Sequence, residues 1–171
     1  MITIKAATYK DVEVLALLGR ITYAESHGHY IHNKNDLQNY LNSAFSIEKI
    51  RTEENNPEHI FHLIYIDDFP VGYTKLVLNA THESVNSKNT CRLERIYILE
   101  DFIPLKIGQQ ILEFIIETAQ NLEFESVWLS VYIKNNRAIR FYEKNHFKKV
   151  GGLDFLVNGK KYENFVLLKT I

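Results

Sequence analysis

The stretch Leu129-Ser130-Val131-Tyr132-Ile133-Lys134-Asn135-Asn136-Arg137-Ala138-Ile139-Arg140-Phe141-Tyr142-Glu143-Lys144-Asn145-His146-Phe147 changes its hydrophobic period partway along. Its first part belongs to the apolar, β-branched run Val127 to Ile133, which reads as a strand. From Asn135 to Asn145 the period is helical. Ala138, Phe141, Tyr142 and Asn145 fall on one face, and Asn135 or Asn136 is placed to cap the first turn. Asn145-His146 can end the helix at modest cost, because Asn and His tolerate left-handed backbone better than most residues. A strand thus delivers into a short amphipathic helix that buries an adjacent Phe-Tyr pair.

Upstream, Leu93-Glu94-Arg95-Ile96-Tyr97-Ile98 is a strand, followed by Ile107, Ile111, Leu112, Ile115, Ile116 and Ala119 at helical spacing. Together with Val127 to Ile133 these make a βαβ unit. Hairpins flank it. Ile60 to Ile66 and Pro70 to Leu78 are joined by Asp67-Asp68, and the tail folds back at Asn158-Gly159, a type I′ signal. The polar run Asn79 to Asn89 reads as a loose connection.

At the start, Ile2-Thr3-Ile4-Lys5 alternates as a strand and Thr8 offers a cap to a helix carrying Val12, Leu15, Ala16 and Leu18. A Gly, His, Asn-rich loop from Ser26 to Asn35 precedes a second helical stripe, Leu37, Tyr40, Leu41 and Ala44. Ser46 can cap one more short helix through Ile47 and Ile50. The order is β, α, α, β, β, β, α, β, α, β, β, which predicts an α/β architecture, a mixed sheet with helices on its faces. No repeat or Pro/Gly/Ser-rich linker interrupts it, so residues 1–171 read as a single domain.

Composition narrows the function. The only cysteine is Cys91, which excludes an intramolecular disulfide, a CxxC redox pair and a multi-cysteine zinc site. Lys+Arg number 20 against 21 Asp+Glu, so the basic excess of a nucleic-acid-binding module is missing. No basic-then-apolar leader or bilayer-length apolar run is present, and the expectation is a cytoplasmic protein without membrane contact.

Two places could carry chemistry. The segment Phe102 to Gly108 joins a strand to a long helix, where free N–H groups and the helix dipole favour a phosphate. His27, His29 and His32 form an H-x-H-x-x-H cluster, the one arrangement that suggests a metal. No metal is expected.

The pattern L-x-V-x-x-x-N-x-x-A-I-x-F-Y-E-K-x-x-F, from Leu129 to Phe147, resembles the second signature of the GNAT superfamily of acetyl-CoA-dependent N-acetyltransferases. The first signature of that superfamily falls on Ile103 to Gly108, with Ile111-Leu112 behind it. Only the last glycine is shared, Ile103 standing for the usual Gln or Arg and Lys106 for the first glycine. A narrower likeness, to PaiA-type spermine/spermidine acetyltransferases, lies in Tyr40 to Ser46, Leu93 to Ile98 and the closing Phe155 to Ile171 hairpin.

The resemblance implies a mostly antiparallel, seven-stranded twisted sheet with helices on both faces. Acetyl-CoA is the implied co-substrate, and the acetyl group passes to a primary amine in a ternary complex, without a covalent acyl-enzyme. By position, backbone amides of Ile103, Leu105, Lys106, Ile107, Gly108 and Gln109 take the CoA diphosphate, and Lys106 must adopt a backbone conformation usually given to glycine. The main chain of Ile96, Tyr97 and Ile98 takes the pantetheine, and Asn135 the cofactor arm. Tyr142 is the proton donor to the departing sulfur, the alternative being a tyrosine that anchors the helix in the core. Glu94 is the general base, the alternative being an ion pair with Arg92 or Arg95. The partners expected are a small-molecule amine and, as one option, a second copy of the chain, with no nucleic acid. The PaiA likeness implies spermidine or spermine as the acceptor, and the family's acceptor site borders the loop of His27, His29 and His32, where Glu25 or Asp36 would receive a cation. A protein N-terminus or another small amine is the alternative acceptor, and a CoA-binding regulatory module that has lost turnover is the competing reading.

Overall fold

The computed structural model describes all of residues 1–171. Strands β1 (Ile2–Ala6), β2 (His59–Ile66), β3 (Phe69–Val77), β4 (Thr90–Ile98), β5 (Ser126–Tyr132), β6 (Lys148–Val157) and β7 (Lys160–Thr170) form a seven-stranded sheet in the order β1-β2-β3-β4-β5-β7-β6. The helices are α1 (Val12–His27), α2 (Lys34–Ala44), α3 (Ile47–Glu54), α4 (Gly108–Asn121) and α5 (Asn136–Lys144), with a 3-10 turn at Glu100–Leu105. The β1-β2, β5-β7 and β6-β7 pairs are antiparallel, whereas β4 and β5 run parallel, Thr90 to Arg92 facing Ser126 to Trp128. The mixed α/β architecture is the one expected, and the element order differs only in that the short helix capped by Ser46 makes three helices, not two, between β1 and β2.

The chain divides into two compact units, Met1–Leu76 with Arg95–Glu113, and Val77–Glu94 with Phe114–Ile171. In the first, strand alternation gives β4 two different faces. Ile96 and Ile98 pack with Ile64, Val71, Ile107 and Ile111. Arg95 and Tyr97 point the other way: Tyr97 meets Tyr23 and Tyr73, and Arg95 donates to both Glu53 oxygens of α3 at 2.8 and 3.2 Å. Lys75 Nζ reaches the same carboxylate at 3.1 Å and Lys49 Nζ at 3.9 Å, so three cations converge on one buried anion. Local chemistry sets the boundaries. Thr8 and Asp11 form a capping box ahead of α1, while Asn33 and Ser46 cap α2 and α3. Asp67 and Asp68 both take positive φ, as a two-residue hairpin requires.

In the second unit β7 lies between β5 and β6, with Asn158-Gly159 turning the last hairpin at φ 48° and 79°. The connection from residue 79 to 89 is better anchored than its polarity suggests. Val85 packs with Trp128 and Val166, and the indole N–H donates to the Ala80 carbonyl at 2.8 Å. Burying one valine and satisfying one indole ties down a segment expected to be loose. His146, at φ 67°, ends α5, and Lys169 Nζ donates to the Asn145 carbonyl at 2.8 Å.

Candidate active site

In the first unit β4 hands over to the 3-10 turn, and Lys106 closes that turn in the left-handed region at φ 57°, ψ 27°. The conformation is the one its glycine-like position demands. Its amide is not free, however: it donates to the Ile103 carbonyl at 3.1 Å, which corrects the expectation that this N–H faces the diphosphate. What Lys106 can offer is its exposed ammonium. Ile103 and Leu105 lie within the 3-10 turn rather than at the helix start. In α4 the Ile111 amide donates to the Ile107 carbonyl, so the amides of Ile107, Gly108, Gln109 and Gln110 come before the helical ladder and point out of its positive end. Gln110 was not among the expected residues. Counting four amides from the helix start would have included it.

The main chain of Ile96, Tyr97 and Ile98 is shaped by its neighbour strand. A side chain on Gly72 would run into the Tyr97 carbonyl oxygen and the Ile98 Cα, so glycine permits the close approach of β3 to β4. The Leu99 amide then donates to the Val71 carbonyl at 2.8 Å.

The second unit holds the other expected residues. Arg92 Nη1 lies 3.7 Å from the Glu94 carboxylate, and both side chains are about a quarter exposed. The guanidinium sits over Trp128 at 4.8 Å and donates to Ser130 Oγ at 3.4 Å. Of the two partners the sequence left open for Glu94, Arg92 is the one that pairs, because Arg95 is committed to Glu53. On α5, Asn135 rather than Asn136 is the cap, its Oδ1 accepting from the Ala138 amide at 3.1 Å. Its amide nitrogen has no partner in the chain.

Tyr142 is buried, with its ring edge-on to Phe141 and Phe147 at 5.3 and 5.5 Å. Burial holds the phenol well above its ordinary pKa, so it stays protonated. Its oxygen makes no hydrogen bond within the chain. Cys91 is also buried, its thiol pushed up to about 12, which makes it a poor nucleophile. The three loop histidines do not converge: His27 stacks on Tyr23 and His29 lies on Tyr30, and no group of three or more His, Cys, Asp or Glu side chains is placed to hold a metal ion.

Comparisons with known proteins identify the family. The profile of the Acetyltransferase (GNAT) family matches residues 24–147. An uncharacterized N-acetyltransferase of the pepI 3′ region in Lactobacillus delbrueckii subsp. lactis is 24% identical over 162 residues, covering 95% of this chain and 93% of that protein. The PaiA N-acetyltransferase of Thermoplasma acidophilum, solved in complex with coenzyme A, is 20% identical with a TM-score of 0.77, covering 100% of this chain and 99% of that one. The ribosomal-protein-S18-alanine N-acetyltransferase of Escherichia coli is 14% identical with a TM-score of 0.74, covering 100% and 94%. The chain belongs to the GNAT acetyltransferase family. It is an acetyl-CoA-dependent acyltransferase, with acetyl-CoA as co-substrate. No helix is long and apolar enough to cross a membrane.

Proposed function

We propose that the chain transfers acetyl from acetyl-CoA to a primary amine, with a polyamine such as spermidine or spermine as acceptor, by direct attack and without an acyl-enzyme. The observation that carries this reading is the unbonded phenol of Tyr142. Its ring is buried, but its hydroxyl is not among the sealed, unpartnered polar atoms, so the O–H stays open to a partner from outside the chain. Beside a departing thiolate, of reference pKa about 8.5, the same donor is useful.

The other residues divide the remaining work. Amides of Ile107, Gly108 and Gln109, with the Lys106 ammonium, hold the diphosphate, whereas those of Ile103 and Leu105 belong to the 3-10 turn. The main chain of Ile96, Tyr97 and Ile98 receives the pantetheine as it would an added strand. The free amide of Asn135 donates to the cofactor arm. An alkylamine, with a pKa near ~10.4, arrives protonated, and Glu94 takes that proton directly or through water. The C–N bond then forms as the C–S bond breaks, Tyr142 supplies a proton to sulfur, and the second proton shed by the new amide nitrogen passes through water to restore the phenol. Positioning and charge stabilisation supply the rate.

A polycationic acceptor suits the first unit. Glu25 accepts the Glu100 amide at 2.9 Å, which gathers the exposed Glu25, Glu100 and Asp101 at one corner. The sequence resemblance to PaiA-type spermine/spermidine acetyltransferases in Tyr40 to Ser46, Leu93 to Ile98 and Phe155 to Ile171 points the same way. The partner proposed is therefore a small amine, and the proposed location is the cytoplasm.

Thiol release from acetyl-CoA, with spermidine, a simple monoamine and an N-terminal peptide offered in parallel, tests the proposal. Spermidine should be fastest. Release with the peptide alone would move the acceptor to a protein N-terminus, the reading favoured by likeness to the ribosomal-protein acetyltransferase. Acetyl-CoA binding with no release from any acceptor would favour the regulatory module.

A further inference from the structure

We propose that His27 receives the acceptor amine, its Nε2 accepting a hydrogen bond from the substrate N–H. The inference rests on the amine-transfer reading above and names the group that meets the amine.

The argument begins at Ser26. Its Oγ lies 2.7 Å from the Thr22 carbonyl oxygen and 2.7 Å from His27 Nδ1. A hydroxyl has one proton and a carbonyl can only accept, so that proton goes to Thr22, with a longer 3.4 Å contact to the Tyr23 carbonyl sharing it. The short contact to the ring is then filled only if Nδ1–H donates to Ser26 Oγ. The imidazole therefore carries its hydrogen on Nδ1 and a bare lone pair on Nε2. Nothing in the chain hydrogen-bonds that second nitrogen. Burial, with His29 adding to it, pushes the ring down to about 4, so it is neutral at pH 7 and its lone pair is available.

The surroundings select the ligand. Tyr23 stacks on the imidazole at 4.7 Å and 10°, while Tyr97 and Tyr30 cross it at 5.9 and 6.4 Å. Three phenol rings around an uncharged acceptor favour an alkylammonium, which offers positive charge to the π systems and an N–H to the lone pair. Tyr97 is also the central residue of the β4 segment assigned to the pantetheine, so His27 stands beside the strand along which the acetyl donor is proposed to lie. The H-x-H-x-x-H cluster then has one member with a defined role, and that role is not metal ligation.

Two measurements test the proposal. In protein labelled with 15N-histidine, long-range 1H–15N spectra should show His27 protonated on Nδ1 and bare on Nε2, with the Nε2 resonance moving when spermidine is added; the spectrum of His27→Phe assigns it. In kinetics, His27→Phe keeps a ring on Tyr23 but lacks the acceptor, and should raise the amine KM roughly tenfold with the acetyl-CoA KM unchanged. Ser26→Ala frees the tautomer and should raise the amine KM by less. No thiol release together with a responsive Nε2 would reject the transfer reaction and keep the subsite. A proton on Nε2, an Nε2 that ignores saturating spermidine while thiol is released, or an unchanged amine KM in His27→Phe would reject the subsite.

Discussion

The turn into α4 and the helix α5 are both assigned to acetyl-CoA, but they use different parts of the chain. Before α4 the contribution is main chain: unspent amides at a helix start, a left-handed residue at 106, and a strand edge held close by Gly72. In α5 it is side chain: the Asn135 amide and the Tyr142 phenol. The family signature is eroded in the first region and retained in the second. Physical chemistry accounts for the difference. Any residue except proline supplies an N–H, so letters can drift while the geometry stays; a phenol has no such substitute.

The sharpest way to break this contrast is Tyr142→Phe. The variant should lower kcat by roughly 10²–10³, within the range for losing a general acid. Acetyl-CoA affinity should hold, because the hydroxyl acts on the leaving sulfur. Stability should not fall either, since the hydroxyl that is removed bonds nothing in the chain. Steady-state kinetics and a thermal melt read both, and an unchanged kcat would remove the side-chain half of the argument.

Gly72→Ala attacks the main-chain half. The added Cβ meets backbone, the Tyr97 carbonyl and the Ile98 Cα, which cannot rotate away as a side chain could. Strand β4 must shift, at a stability cost of about 1–3 kcal/mol, typical of overpacking. A displaced edge should raise the acetyl-CoA KM about tenfold, as losing one well-aligned hydrogen bond would. At saturating cofactor, kcat should change little, the reverse of the Tyr142→Phe pattern.

The same division between main chain and side chain explains what could be read from sequence. Period, caps and turn dipeptides are local, and they located the strands, Ser46 ahead of α3, and the Asp67-Asp68 and Asn158-Gly159 turns. Lys106 in a glycine position was legible too, from its place in the eroded motif. Hydrogen bonds of the main chain were not. That the Lys106 amide turns back to Ile103, and that Gln110 joins the amides preceding the helical ladder, depends on where the 3-10 turn stops and α4 starts. Long-range polar partners were equally invisible: nothing near Glu53 in sequence announces Arg95 and Lys75. The Ser26–His27 bond joins adjacent residues, yet its direction follows only from the third partner, Thr22.

Lys106→Gly sharpens the contrast by separating conformation from charge at one position. Relief of a left-handed non-glycine backbone should raise stability by up to about 1 kcal/mol. Loss of the ammonium should weaken acetyl-CoA binding a few-fold at low salt, and the gap should close as salt screens an exposed charge. Equilibrium binding at two ionic strengths, with a melt, tests both. A variant that binds no more weakly at low salt would show that only the backbone of residue 106 matters.

The smallest expected effect is the most exacting for the main-chain account. Gln109 is assigned to the diphosphate through its amide, while its side-chain Nε2 donates to Glu113 Oε1 at 2.8 Å along the exposed face of α4. Alanine keeps the N–H and suits a helix, and the exposed pair with Glu113 is among what it gives up. Acetyl-CoA affinity and stability should therefore stay within about 0.5 kcal/mol of the parent, the ordinary range for surface substitutions. A tenfold loss of affinity, read by the same binding assay, would mean that the side chain recognises the cofactor. The freedom of letters in this turn would then need another cause, because one of its side chains would be as constrained as Tyr142.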